Sequence, residues 1–515
     1  MVLGSFTSSV CSSRSSSASS SSYCCYLRPA RRVPGTHLHR QQHAVYLLLL
    51  MAGAALLGQA ADGRRPSAAK PEREGCIVDD YEQLLNVTSD YSSCGGNGDN
   101  AHIFLSCNSR WFTRGALPAL TIEHDQLETA KHEPSVHILP ESDCGVITIE
   151  VDLALNPQLP LLTVHGDVGI HKVRAWSRIH KFEMNNVRFV VKGANASAVM
   201  PVCTSRPCQA TALIDIHDVE HVTLTNVTVT SQQPAQPGGA WQQLPYTGIT
   251  IKSLSGGVPI VNLDAVIVAK MVDGVTVVGG GNLSATNLRS SHNHNMGLYY
   301  MCSMVQQSSL VVAGRSTISN NGGLGTPVQE GEDERGVGIH IDCDGDFITL
   351  DASISGNVTI AGNSRHGILV DGHVHAEVGP GVRLHGNGGN ATLCGGGLHA
   401  HFLYGSPAVK VQGVKFVNNT AQYGAGACIE IPEEAKPLVG KINGEFSLLS
   451  DVSFMRNRAT VCGGAFATVV SPSKSRVNVL VPDGAGHSFT ENTAPAAHVW
   501  CAMPVYGNDY MAISL

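Results

Sequence analysis

Tyr299, His340 with Asp342, Asp371, His399 with His401, and Glu430 recur at alternate positions of short apolar runs, and these residue types move protons. In the same runs Leu298, Tyr300 and Cys302 alternate with Tyr299 and Met301, and Ile339, Ile341 and Cys343 with His340 and Asp342. Ile368 and Val370 alternate with Leu369 and Asp371; Leu398, Ala400 and Phe402 with His399 and His401. Ala427, Ile429 and Ile431 stand against Cys428 and Glu430, and Ala465, Ala467 and Val469 against Phe466 and Thr468. A period of two puts one parity on each side of a strand, so the apolar parity is predicted to line an interior and the other to face water.

Strands stacked about 4.8 Å apart would let neighbouring members of this row touch one substrate or one ion. Paired carboxylates would serve a glycosidase, whereas a His or Tyr beside a group that neutralises an acid would serve a lyase or epimerase. An external face is polar in any case, so the row is a candidate site and not a signature. Two further groups could hold a cation. Asp342, Asp344 and Asp346, close after Glu330, Glu332, Asp333 and Glu334, offer oxygen ligands at alternate positions for calcium, although the glycine does not fall where an EF-hand loop needs it. His292 and His294, near Tyr299, could chelate a transition metal, but the expected reading is a surface loop.

A repeat positions these residues. Ile318, Ile360, Leu384, Phe416, Phe454 and Phe489 each stand three residues before an asparagine, at Asn321, Asn363, Asn387, Asn419, Asn457 and Asn492. Several of these elements follow another apolar run, such as Val409 to Val411, and most precede a glycine-rich turn and then the alternating strand. Three short strands per repeat, with Gly or Asn at the corners, predict an all-β fold, a right-handed parallel β-helix with three faces. The recurring asparagine is expected to stack at one corner and satisfy turn backbone. Residues 144–515 are assigned to the β-helix, in roughly ten coils. Residues 62–143, with three cysteines and a weaker pattern, are assigned to an N-terminal cap. In this alignment Cys302 and Cys343 are equivalent interior positions on successive coils and should bond.

The pairing of Phe454-Met455-Arg456-Asn457 with Gly463-Gly464-Ala465, repeated in part at Phe416 to Asn419, Gly395 to Gly397 and Gly424 to Ala427, resembles the repeats of chlamydial polymorphic outer-membrane proteins and related β-helix proteins. The resemblance spans about residues 300–500 and implies a surface-exposed passenger or adhesin. The chain departs from that family near its end, where no alternating strands for a membrane barrel are found. Asp215-Ile216-His217-Asp218 and Arg365-His366-Gly367 look like pieces of mannuronan C5-epimerase motifs, but several coils separate them, too far for one active site. The signatures of polygalacturonases, pectate lyases and pectin methylesterases are not recognisable.

The first 61 residues hold no acid and five arginines, a serine-rich stretch, and an apolar run from Ala44 to Leu57 followed by small residues. This composition predicts a signal or targeting segment over 1–61; an uncleaved type II anchor and a bipartite organelle signal are the alternatives. Only the anchor would make a membrane a partner. Its removal leaves 29 basic against 41 acidic side chains, a formal charge of −12, which argues against nucleic acid as a partner. Twelve cysteines follow the segment, an even number with no Cys-x-x-Cys pair, so disulfides are expected, Cys203 with Cys208 closing a small loop. Sequons at Asn86, Asn195, Asn226, Asn282, Asn357, Asn390 and Asn418 fit a secreted or cell-surface glycoprotein. The expected role is adhesion or binding of a polysaccharide or of cell-surface or matrix glycans. The alternative is a carbohydrate-active enzyme, a polysaccharide hydrolase, lyase or epimerase, working across Tyr299 to Glu430.

Overall fold

The computed structural model describes residues 75–513 except 91–93, 95–99, 108–110, 114–119, 123–134, 143, 153–159, 167–178, 193–210, 233–245, 254–257, 303–306, 323–334, 344–348, 404, 433–434, 436–441, 471–474, 483–484 and 505–510. The cysteine pair 203/208, the acids at 330–334, Asp344, Asp346, Asn195 and the targeting segment therefore lie outside the described residues. Among the described residues no helix is long and apolar enough to cross a membrane.

Each coil visits three sheets in turn. Lys181–Asn185 lies in sheet A, Val187–Lys192 in sheet B and Thr211–His217 in sheet C, and the next strand, His221–Thr225, returns to pair with Lys181–Asn185. Within the described residues sheets A and C hold 13 strands each and sheet B 12, and every pairing in them is parallel except that of Trp500–Pro504 with Met511–Ile513. The protein is a three-faced parallel β-helix. Parallel strands need a crossover, and here the other two faces of the coil supply it.

Ten strands of sheet A come after Cys144, as the repeat length predicts, but Cys76–Val78, Asn100–Leu105 and Ser135–Pro140 precede it in the same sheet. The parallel stacking thus begins at Cys76, inside the segment assigned from the sequence to a cap. The element that covers the end is the helix Tyr81–Ser89. Asp80 caps it, accepting from the Gln83 N–H at 2.8 Å, while Gln83 Oε1 accepts from the Asp79 N–H at 2.9 Å. Its buried residues Tyr81, Leu84 and Thr88 share one face, and the helix packs on strands Cys76–Val78, Trp111–Thr113 and Leu120–Ile122, one from each sheet.

The expected asparagine stack runs along one corner. Asn293, Asn321, Asn363, Asn387, Asn419 and Asn457 each donate from Nδ2 to Oδ1 of the asparagine one coil on, ending at Asn492, at 2.8–3.2 Å. The same Oδ1 atoms accept the backbone N–H of the preceding asparagine at 3.0–3.1 Å. Phe416, Phe454 and Phe489 stack inside this corner, with centroids 4.6 and 5.4 Å apart.

Beyond the asparagine corner the chain enters sheet C through a glycine that another coil presses against. A Cβ on Gly338 would meet Gly367 O at 2.5 Å, and one on Gly367 would meet Gly397 O at 2.6 Å. Ala465 takes this place in the last full coil, since Ala427 N–H donates to Ala465 O as Leu398 N–H does to Gly426 O. That corrects the parity read for this strand. Phe466 aligns with Ala427 and faces the interior, whereas Ala467 aligns with Cys428 and Val469 with Glu430 on the outside. The turn position falls at Ala465 and not at Gly464, and a one-residue shift turns every side chain over.

Among the described residues five disulfides join Cys76–Cys94, Cys107–Cys144, Cys302–Cys343, Cys394–Cys428 and Cys462–Cys501, which fits an oxidising compartment. Cys302 and Cys343 are buried in the interior core with Cα atoms 5.1 Å apart, the pairing expected from the coil alignment.

Candidate site on the outer face of sheet C

The register of sheet C sorts the outward residues into two columns. One runs Thr276, Tyr299, His340, Leu369, His399, Cys428; the other carries Met301, Asp342, Asp371, His401 and Glu430. Beneath them Leu298, Tyr300, Ile339, Ile341, Ile368, Val370, Leu398, Ala400, Ala427 and Ile429 belong to the interior core, so the sidedness predicted from period two holds through Glu430.

The accessibility predicted for this row does not hold. Tyr299 and His340 are 0% exposed, and Asp371 and Asp342 are 1% and 2% exposed. His399 is also buried, and only His401 and Glu430 keep partly exposed side chains, 22% and 17%. Tyr299 packs with Met296, Val337 and Leu369 in an apolar cluster on this outer side, separate from the interior core. Alternation reports which side of a sheet a side chain takes; it carries no information about what lies over that side.

Under this cover the ionisable groups pair across coils. Tyr299 O–H donates to Asp342 Oδ2 at 2.7 Å, and its ring meets His340 edge-on at 5.1 Å. Asp371 sits between two imidazoles, with Oδ1 3.0 Å from Nδ1 of His401 and Oδ2 4.0 Å from Nε2 of His340. His399 Nε2 lies 3.0 Å from Glu430 Oε2. The His399 and His401 rings are 5.6 Å apart. Burial alone would raise the Glu430 pKa, but the hydrogen bond and charge of His399, with the charge of His401, bring it below the ordinary carboxylate value.

No protein family, curated protein or solved structure matches this chain in the comparisons made. The site is therefore read from its own geometry.

Two residues join it that the alternating pattern did not offer. His366 lies in the turn before Gly367, and its ring sits 4.9 Å from His399 with Nδ1 3.0 Å from Gly395 O. Burial, then the neighbouring charge of His399, pushes its pKa well below the usual imidazole value, so His366 is neutral at pH 7. Arg365 beside it is buried as well. The Arg-His pair was visible in the sequence but could not be placed, because a turn residue has no parity to read.

Its supposed companion lies elsewhere. Asp215 accepts from His217 at 2.9 Å, with Lys252 Nζ at 3.4 Å, and the Asp215 column reaches Tyr299 only after Thr250 and Thr276. Thr211–His217 and the strand that follows Arg365-His366, Ile368–Gly372, are five coils apart in sheet C at about 4.8 Å per coil, too far for one site, as the sequence spacing implied. Of the calcium candidates only Asp342 is described, and one of its oxygens accepts from Tyr299. His292 and His294 flank Asn293, the first member of the asparagine stack; His294 is buried, so the segment is a structural corner instead of the surface loop expected.

Proposed function

We propose that the chain is a secreted carbohydrate-active β-helix enzyme that moves protons on an acidic polysaccharide, a lyase or epimerase in preference to a hydrolase. The observation that carries this reading is that all three carboxylates of the row already accept from a phenol or an imidazole: Asp342 from Tyr299, Asp371 from His401 and Glu430 from His399. A glycosidase needs one carboxyl to protonate the leaving oxygen and a second to attack or to activate water. Here two of the three carboxylates, Asp371 and Glu430, instead orient imidazoles, which are suited to proton transfer near neutral pH.

In the lyase form one imidazole of the His399/His401 pair takes the C5 proton of a uronate, whose carboxyl group acidifies it. The C5–H electron pair forms the C4–C5 double bond, the C4–O4 bond breaks, and the second imidazole protonates the departing oxygen. In the epimerase form the proton returns to C5 from the opposite face. With Nδ1 of His401 held by Asp371, exchange with substrate falls to Nε2, and the partly exposed His401 and Glu430 mark the end from which a chain would enter.

Secretion and glycosylation are part of this reading, supported by the disulfides and by exposed sequon asparagines at Asn86, Asn282, Asn357, Asn390 and Asn418. The Phe-x-x-Asn and Gly-Gly-Ala likeness to polymorphic outer-membrane repeats supports a surface location. One observation favours a second reading, a solenoid that binds surface or matrix glycans without turnover: Tyr299 and His340 have no solvent contact, as groups with a purely architectural role would.

The test is incubation with a panel of acidic and neutral polysaccharides, following the ultraviolet absorbance of unsaturated uronate and, by NMR, deuterium entering C5. Turnover of an acidic polymer, lowered about 10² to 10⁴-fold in His401→Ala, is the expected result. Binding without either signal would favour the second reading, and full turnover by both His401→Ala and Asp371→Asn would remove this site from the chemistry.

A further inference from the structure

A second cluster stands on a different face, at the corner where the chain passes from sheet C into sheet A. His180 immediately precedes Lys181–Asn185, and Glu220 immediately precedes the next strand of that sheet, His221–Thr225. His221 pairs in register with Lys181, which sets His180 and Glu220 over one another on adjacent coils with His221 one residue further along. The arrangement is anchored from below and from the side. Ile179 and Val219, the residues before His180 and Glu220, are both buried in the interior core, and the His221 N–H donates to His180 O at 2.8 Å.

The three side chains converge. Nδ1 of His180 lies 2.9 Å from Glu220 Oε2, the two imidazole rings meet edge-on at 4.8 Å, and one ligand atom from each of the three residues falls within 4.8 Å of the other two. His180 and His221 are half-buried and Glu220 is exposed, so the cluster is open to solvent on one side. Two other groups of three potential ligands occur among the described residues, Cys107 with Glu141 and Cys144, and Cys394 with His399 and Glu430. In both the sulfurs are already spent in disulfides. The His-Glu-His corner is thus the group whose donors are all of a kind a metal takes directly.

We propose that His180, Glu220 and His221 form a binding site for a divalent first-row transition ion, zinc above all. Two imidazole nitrogens and one carboxylate oxygen suit the borderline-soft ions of this series, and are a poor set for calcium or magnesium, which take oxygen alone. Three protein ligands leave a fourth position for water or for a donor brought by a partner molecule. The ion would tie two adjacent coils together at the N-terminal third of the solenoid, independently of the chemistry proposed on sheet C.

The experiment uses the full chain, stripped with a chelator and dialysed, titrated with Zn²⁺ alone by calorimetry and with Co²⁺ as a visible-absorption probe. One saturable equivalent is expected, with a rise in melting temperature on Zn²⁺ addition. His221→Ala and Glu220→Gln should each weaken binding at least about tenfold and dim the Co²⁺ bands. Since the chain has 23 histidines, His137→Gln serves as the control; His137 is held by Glu183 at 3.0 Å on the same sheet and should leave binding untouched. Glu220 is exposed, so Glu220→Gln keeps the test decisive should His221→Ala fail to fold. Absence of saturable binding, unchanged affinity in Glu220→Gln, or an equal loss in His137→Gln would each overturn the site.

Discussion

Among the described residues two largely buried rows of stacked polar side chains stand out, and they are built on opposite plans. At the asparagine corner every member is the same neutral amide, donating from Nδ2 to the next coil and receiving through Oδ1 from the previous one. On the outer face of sheet C the members differ, Tyr299, His340, Asp342, Asp371, His399, His401 and Glu430, and all can carry charge. A uniform neutral row satisfies itself at little electrostatic cost. A mixed ionisable row is costly to bury, most of all at His340, Asp342 and Asp371, and its stability contribution alone is a weak reason for it. The contrast teaches how to separate architecture from chemistry when both are polar, periodic and buried.

The largest effect is expected where the uniform row is cut. Asn419→Ala removes donors to Leu384 O and Asn457 Oδ1 and the acceptor of both the Asn387 N–H and its Nδ2, leaving several buried groups unpaired. Denaturant unfolding should show a loss of about 3 to 5 kcal/mol. A loss under 1 kcal/mol would mean the amide row is ornamental. Ile341→Ala, in the interior core below the ionisable row, sets the apolar reference and should cost about 2 to 5 kcal/mol.

Asp273, buried near sheet C, separates the cost of charge from the cost of shape. Burial pushes its pKa up to about 7, with Asn295, the Met296 N–H and Thr247 offsetting part of the rise. The unfolded chain ionises near the usual carboxylate value while the folded one holds the proton until about 7, so stability falls as pH rises from about 4 to about 7 and then levels. Asp273→Asn should match the parent at pH 4 and exceed it at pH 8 by on the order of 2 to 4 kcal/mol. Parallel stability curves for the two proteins would show that this carboxyl is not held protonated. The smallest effect belongs to Tyr299→Phe, which deletes one hydrogen bond to Asp342 and should cost about 1 to 2 kcal/mol. A gain in stability there would show that Asp342 is better placed without the phenol.

Most of the fold was legible because a solenoid repeats its constraints. Period two placed Ile339, Ile341, Ile368 and Val370 inside, and the residue three before each asparagine marked the strand leading to the corner. Asn293 escaped that rule because Ser290 stands where the apolar residue was sought; Ser290 Oγ donates to Gly297 O at 2.7 Å within the same corner. The slip at Phe466 arose where Ala465 took a place glycine holds in the coils before it. Burial of His340 and Asp371 was not legible at all, since nothing in a strand's own alternation encodes what covers it. His366 was missed for the complementary reason, a turn residue brought beside the row by its register and not by its period. The same blindness made Asp371 look like a freely exchangeable surface acid, when its loss would strip the partner from His401.

The asparagine corner also has a direction. Its six amide-to-amide bonds all point the same way, from Asn293 toward Asn492, so their dipoles add instead of alternating. At one end Asn293 Oδ1 accepts the Met271 N–H, and at the other Asn492 turns one N–H back to Phe454 O. The positive end of this row therefore faces whatever packs against Asn492. A coil laid down there must bring an acceptor, and one approaching the Asn293 end must bring a donor. The stack is thus polar like a filament, and it would reject a coil offered in the reverse orientation before any hydrophobic contact was made.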